Sequence, residues 1–115
     1  MNNTVQDWLA SRAAPPGVVA CGLRQPDGNY ICHSADESCP VEKMEKILGQ
    51  FHQMRATLFT GDFLPRWNTW TFERARIRFV EHPDGWLLGL IVRTECDPPP
   101  DLDALSNEFL SIKFG

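Results

Sequence analysis

Cys21, Cys32, His33 and Cys39 are the residues of this chain whose types would suit a zinc ion, and Cys39 with His52 is the pair that would suit a thiol nucleophile and its base. Zinc needs convergent ligands, usually in close pairs such as C-x₂₋₄-C. Cys32 and His33 are adjacent on what reads as a strand, so alternation turns them to opposite faces. Pairing through a turn at Asp27-Gly28 sets Leu23 against Cys32 and Cys21 against Ser34, which makes Cys21 and Cys32 diagonal neighbours on one face. Two thiols do not complete a metal site, and a free cysteine commonly serves as a small buried hydrophobe. Cys39 precedes a helix, whose N-terminus can lower a thiol pKa. There is no C-x-x-C for redox work, and neither a G-x-x-x-x-G-K-[ST] nor a G-x-G-x-x-G loop for phosphate. The carboxylate pairs Glu42 with Glu45 and Asp101 with Asp103 fall in helix first turns, where the helix dipole accounts for them. These residues predict no catalytic site, no metal and no cofactor.

The elements that would position these groups follow from periodicity and turn chemistry. Thr4 and Asp7 form a weak capping box for a short helix carrying Val5, Trp8 and Leu9, closed by Pro15-Pro16-Gly17. Val18 to Leu23 and Tyr30 to Ser34 read as two strands about the Pro26-Asp27-Gly28-Asn29 turn. Ser38-Cys39-Pro40 supplies a cap and a first-turn proline for a long helix, in which Val41, Met44, Ile47, Leu48, Phe51, Met54, Leu58 and Phe59 recur at helical spacing before Gly61. At ~100° per residue these positions cover an arc of roughly 140°, wider than the ~100° needed to cover a sheet, and the surplus can face a partner.

In RWNTWTFERARIRFVEH, a turn at Arg74-Ala75 sets Phe72 against Ile77, Trp70 against Phe79, Thr71 against Arg78 and Glu73 against Arg76. All the large apolar side chains except Trp67 and Val80 then share one face. Trp67 and Trp70 have opposite parity, one for the core and one for an interface. Arg74, Arg76 and Arg78 share a face, either as a basic strip for an acidic partner or as a solvated face balanced by Glu73 and Thr71. Pro83-Asp84-Gly85 turns into WLLGLIVR, a continuous apolar run suited to a central strand covered on both sides. Asp97-Pro98-Pro99-Pro100 is a rigid connector to a last helix, capped by Asp101 or Asp103 and carrying Leu102, Leu105, Phe109 and Ile112.

The element order αββαβββα predicts one α+β domain over residues 1–115: a five-stranded, mainly antiparallel sheet with the long middle helix on one face and the terminal helices on the other. At 115 residues such a chain can bury a core without disulfide or metal. Its net charge of −4 repels a nucleic-acid backbone. The sequence has neither a signal-like N-terminus nor a membrane-length apolar run, so a soluble cytoplasmic protein that does not engage membranes is expected.

That order, together with Pro16-Gly17-Val18-Val19, Asp27-Gly28, Ser34, Asp84-Gly85, Leu87-Leu88, Leu105 and Phe109, resembles the roadblock family of dynein light chains. The resemblance implies a non-enzymatic homodimer in which two sheets join through their third strands with the long helices alongside. It implies adaptor work or regulation of another protein, small Ras-like GTPases among them. It places Asn68, Thr69, Trp70, Thr71 and Phe72 of the third strand, and Ile47, Phe51 and Met54 of the long helix, at the dimer interface. Two alternatives remain at this level: a secretion-chaperone-like acidic dimer, which places three strands before its middle helix, and a small profilin- or PAS-like domain sensing a ligand between helix and sheet.

Overall fold

The computed structural model describes residues 3–11, 17–58, 67–95 and 100–112. The elements are α1 (Asn3–Ser11), β1 (Val18–Arg24), β2 (Tyr30–Ser34), α2 (Val41–Leu58), β3 (Trp67–Thr71), β4 (Ala75–Glu81), β5 (Leu87–Arg93) and α3 (Leu102–Ser111). The order is αββαβββα, as expected. All strand pairs are antiparallel, and the sheet runs β2-β1-β5-β4-β3. The apolar run of β5 is its central strand, buried from Leu87 to Val92. Pro15, Pro16, Phe59, Gly61 and Asp97-Pro98-Pro99 lie outside the described residues, as do the side chains of Thr4, Val5 and Leu58.

Alternation divides the core into two layers. On one face Met44, Leu48 and Phe51 of α2 cover Val19, Ala20, Phe79, Leu87 and Ile91. On the other, Leu9 of α1 and Leu105 and Phe109 of α3 pack on Val18, Cys21, Leu23, Val80, Leu88, Leu90 and Val92. Phe51 stacks flat on Phe79 with ring centroids 3.9 Å apart.

Two strand glycines set the depth at which α2 lies. Gly22 and Gly89 are cross-strand partners on β1 and β5. A Cβ on Gly89 would stand 2.6 Å from Met44 Cε and 2.8 Å from Leu48 Cδ2; one on Gly22 would stand 2.7 Å from Cys32 Sγ and 3.0 Å from Leu48 Cδ1. Neither space nor another residue separates the helix from the strand backbone there.

Turn chemistry corrects two registers. The first hairpin closes with a three-residue loop, in which the Gly28 N–H donates to the Gln25 carbonyl and the Gln25 N–H to the Asn29 carbonyl, with Gly28 at φ +93°. The Asp27 carboxylate adds bonds from the Asn29 backbone N–H and side-chain amide. The extra loop residue moves the pairing by one, so Cys32 faces Gly22 and Cys21 faces His33. Cys21 and Cys32 therefore lie on opposite faces of the sheet, not on one.

The same loop recurs at His82 to Trp86, where the His82 N–H donates to the Trp86 carbonyl and Gly85 takes φ +93°. The β3–β4 turn lies at Glu73-Arg74 instead of Arg74-Ala75, with the Phe72 N–H donating to the Ala75 carbonyl. Trp70 consequently faces Ile77, Thr69 faces Arg78 and Thr71 faces Arg76. This shift is by two residues and keeps every side chain on its expected face. The turn holds without glycine: the Thr94 N–H and hydroxyl donate to the carbonyls of Arg74 and Glu73.

The loop before α2 is organised by Asp36. Its carboxylate accepts the Ser38 N–H and pairs with Arg93, while its carbonyl accepts the Cys39 N–H. Ser38 is thus not the helix cap. The Pro40 carbonyl takes the first helical bonds, from the N–H groups of Lys43 and Met44, so this proline precedes the first turn. At α3 the Asp101 carboxylate caps by accepting the Ala104 N–H at 3.0 Å.

Two outcomes follow for stability. Gly89→Ala adds a methyl where Met44 and Leu48 already touch the strand, and is expected to cost about 1–3 kcal/mol in urea unfolding. The Asp36 carboxyl is held below its ordinary value, first by the Ser38 N–H and hydroxyl and then by Arg93. A lowered folded-state value stabilises above the unfolded pKa and is lost as pH falls through the folded one. The urea-midpoint gap between the wild type and Asp36→Asn should therefore be constant above about pH 5 and close below about pH 4.

Candidate functional site

The groups proposed for metal or thiol chemistry do not converge. Cys21, on the α1–α3 face, points its Sγ at the Leu9 carbonyl 3.9 Å away, while Cys32 and Cys39 belong to the α2 layer. Burial pushes the Cys21 thiol up to about 12. It does the same for Cys32, with Glu45 adding to the effect. Cys39 is also raised, burial outweighing the Lys43 charge, so it is not the lowered thiol expected before a helix. Cys39 precedes α2, and His52 lies about three turns along that helix, roughly 16 Å beyond Val41 at ~1.5 Å per residue, and cannot act as its base. Among the described residues no three His, Cys, Asp or Glu side chains form a metal-holding group. Cys96 lies outside the described residues.

The three arginines do not form a strip. Arg74 and Arg76 are exposed, whereas Arg78 is only 8% exposed. Its guanidinium donates to Ser106 Oγ and Asp103 Oδ1, each at 3.0 Å, and its Nε donates to Thr69 Oγ1. It also lies 5.3 Å from the Trp67 ring centroid. Arg78 is a strut joining β3, β4 and α3. Its neighbours Ile77 and Phe79 point to the other face of the sheet, so no local pattern marked it; its cover comes from α3.

The residues assigned to an interface are brought together in part. Asn68, Thr69, Trp70 and Thr71 lie on β3, whose outer edge has no strand beside it among the described residues. Trp70 is half-buried on the α2 face and Trp67 on the other, so their opposite parity holds. Phe72, just past the strand, is 52% exposed and Met54 is 37% exposed. Ile47 is half-buried beside them in the same layer. Phe51 differs: at 2% exposure and stacked on Phe79, it is core and offers nothing to a partner. Asn68 has a buried Nδ2 with no hydrogen-bond acceptor among the described residues.

A helical wheel explains the division of α2. With Leu48 and Phe51 facing the sheet, ~100° per residue puts Ile47 and Met54 on one margin and Gly49 and His52 on the other. Gly49 contacts Tyr30 of β2, which identifies the Ile47–Met54 margin as the β3 side. The β3 margin is apolar. The β2 margin carries Tyr30, Arg24 and His52, a polar group that motif reading missed because its members come from three elements.

No helix among the described residues is long and apolar enough to cross a membrane. Compared with protein-family models and with curated proteins, the chain matches none.

The buried thiols give a direct test. At pH 8 the native chain should label with iodoacetamide at Cys21 and Cys32 on the order of a thousandfold slower than the urea-unfolded chain, since a pKa near 12 leaves almost no thiolate. Site-resolved mass spectrometry reads each cysteine separately.

Proposed function

We propose that this chain is a non-enzymatic, roadblock-like module. It forms a homodimer by joining β3 to β3 of a second copy, and it holds or regulates another protein, with a small Ras-like GTPase as the partner class. The observation that carries this reading is the outer edge of β3. Edge strands are ordinarily guarded by charge, proline or a bulge, because their free N–H and C=O groups invite pairing. Trp67–Thr71, WNTWT, contains no charged residue and no proline. With it stand Trp70, half-buried on the α2 face, and the exposed side chains of Phe72 and Met54. The opposite edge, YICHS of β2, also lacks a formal charge and proline, but His33 and Ser34 are exposed there and among the described residues no large exposed apolar side chain lies beside it.

Two strands precede α2, which favours this reading over a secretion-chaperone-like dimer with three. The contact of Met44 and Leu48 with the glycine backbone of β1 and β5 leaves no ligand space there among the described residues, which weighs against a profilin- or PAS-like pocket.

Sedimentation of the wild type at micromolar concentration should give a dimer. Phe72→Asp, which replaces an exposed side chain, and Trp70→Asp should both shift it to monomer, with unchanged far-UV circular dichroism for Phe72→Asp. A wild type that sediments as a strict monomer would remove the joined-sheet reading.

A further inference from the structure

The α2 face of the sheet ends in a row of cross-strand partners: Tyr30 on β2, Arg24 on β1, Leu87 on β5 and Glu81 on β4. The second half of α2 passes over this row. Gly49 lies over Tyr30, whose hydroxyl stands 2.8 Å from where a Gly49 Cβ would be, and Arg55 is ion-paired with Glu81. His52, three residues from each, falls between them. Arg24 folds its guanidinium towards the hairpin turn, with Nη2 3.6 Å from the position of a Gly28 Cβ.

The charges at this end do not cancel. Arg55 is answered by Glu81, whose own carboxyl is pushed up by burial more than Arg55 pulls it down. Among the described residues no carboxylate pairs with Arg24. Burial, and then the charges of Arg24 and Arg55, hold the His52 imidazole below its ordinary value, so it is neutral at pH 7 and has a ring N–H to donate. The side chains of Arg24, Tyr30 and His52 make no hydrogen bond or ion pair with one another or with any other described residue. All three are half-buried, so each is held in place yet remains open to solvent. Unlike Arg74 and Arg76, which are exposed, Arg24 is half-buried beside two further donors whose side chains are not engaged among the described residues.

We propose that Arg24, Tyr30 and His52 form a binding site for a single carboxylate group. The guanidinium fork matches a carboxylate in bidentate geometry, and the phenol and imidazole supply further donors to its oxygens. Glu45, one turn before Gly49 on the same margin, sets a carboxylate near Cys32, so a single guanidinium here fits a monoanion better than a phosphate dianion. A carboxylate can come from a free organic acid or from an aspartate or glutamate of a partner protein. The site does not depend on the pairing of β3.

The test is a histidine-resolved NMR titration of the full chain at pH 7. Sodium acetate, and separately a capped aspartate-containing peptide and its asparagine analogue, are added against sodium chloride at constant ionic strength. Acetate should shift the His52 ring signal saturably and raise its pKa, because a bound carboxylate favours the imidazolium over the opposition of Arg24 and Arg55. Arg24→Gln should weaken this binding about tenfold or more. Arg24→Lys, which keeps the charge without the fork, should fall between, and both variants should retain the wild-type circular dichroism. A peptide that binds tighter than both acetate and its asparagine analogue identifies a partner's acidic side chain as the source; equal binding of peptide and acetate identifies a free acid. The proposal is overturned if the shifts are linear and equal to those with chloride, if Arg24→Gln leaves them unchanged, or if inorganic phosphate binds more tightly than acetate.

Discussion

The position of α2 rests on the pair of glycines facing one another on β1 and β5. With no Cβ at Gly22 or Gly89, Met44 and Leu48 descend to the strand backbone and the helix approaches more closely than an ordinary side-chain layer allows. Close-packed interiors respond to a single added methylene, so this contact locates the helix in depth as well as along the sheet. The rest of that layer follows from it. Phe51, one turn beyond Leu48, comes down flat on Phe79, and Arg55, one turn further, reaches Glu81. A helix fixed along its midline has two margins whose residues cannot turn inward. One is apolar and lies towards β3; the other is polar and lies towards β2.

The opposite layer is held differently. There α3 is short and is tied to the sheet by apolar packing of Leu105 and Phe109 and by the Arg78 strut. Arg78 is buried, so its charge is tolerable only with partners, and Asp103 and Ser106 of α3 and Thr69 of β3 supply them. His82 closes the other end of the same helix. Its Nδ1 accepts the Asp84 N–H at 3.0 Å while Nε2 faces the Ile112 carbonyl at 2.8 Å, and its ring meets the edge of Phe109. These assignments require the tautomer protonated on Nε2. This layer spends its charged and polar side chains on internal contacts, which leaves the α2 layer with the unpartnered ones.

Periodicity made most of this architecture legible before any coordinates. Alternation in β3 and β4, the unbroken apolar run of β5 and the 140° stripe of α2 each predicted the face that the element buries, because burial acts on residue type at a fixed repeat. Register was less legible, and the two errors differ in consequence. A two-residue turn at Asp27-Gly28 is the local expectation, whereas Pro26-Asp27-Gly28 forms a three-residue loop; that single residue moves Cys32 from the face of Cys21 to the face of Cys39. At Glu73-Arg74 the error was two residues and left the faces intact. What decides that turn is Thr94, distant in sequence, which binds both turn carbonyls. No local signal carries such a contact. The same limit hid Arg24, Tyr30 and His52, which are unremarkable singly and become a group only when the hairpin register and the helix crossing angle are both known.

The two margins of α2 are linked through the rigidity of its midline. Ile47 and Met54 on one side, and Gly49 and His52 on the other, interleave along the same turns as Leu48 and Phe51, so a shift of the helix towards either edge would move both sets together. Such a shift would draw Leu48 off Gly22 and Gly89 and slide Phe51 from Phe79, and a close-packed contact resists small displacements in every direction. Occupancy of the β3 margin therefore has little means of deforming the β2 margin through the helix itself. The margins are also joined through the sheet itself, and among the described residues the Arg55–Glu81 pair is a polar contact between α2 and β4, the strand beside β3, closing the same row of the sheet that carries Arg24 and Tyr30.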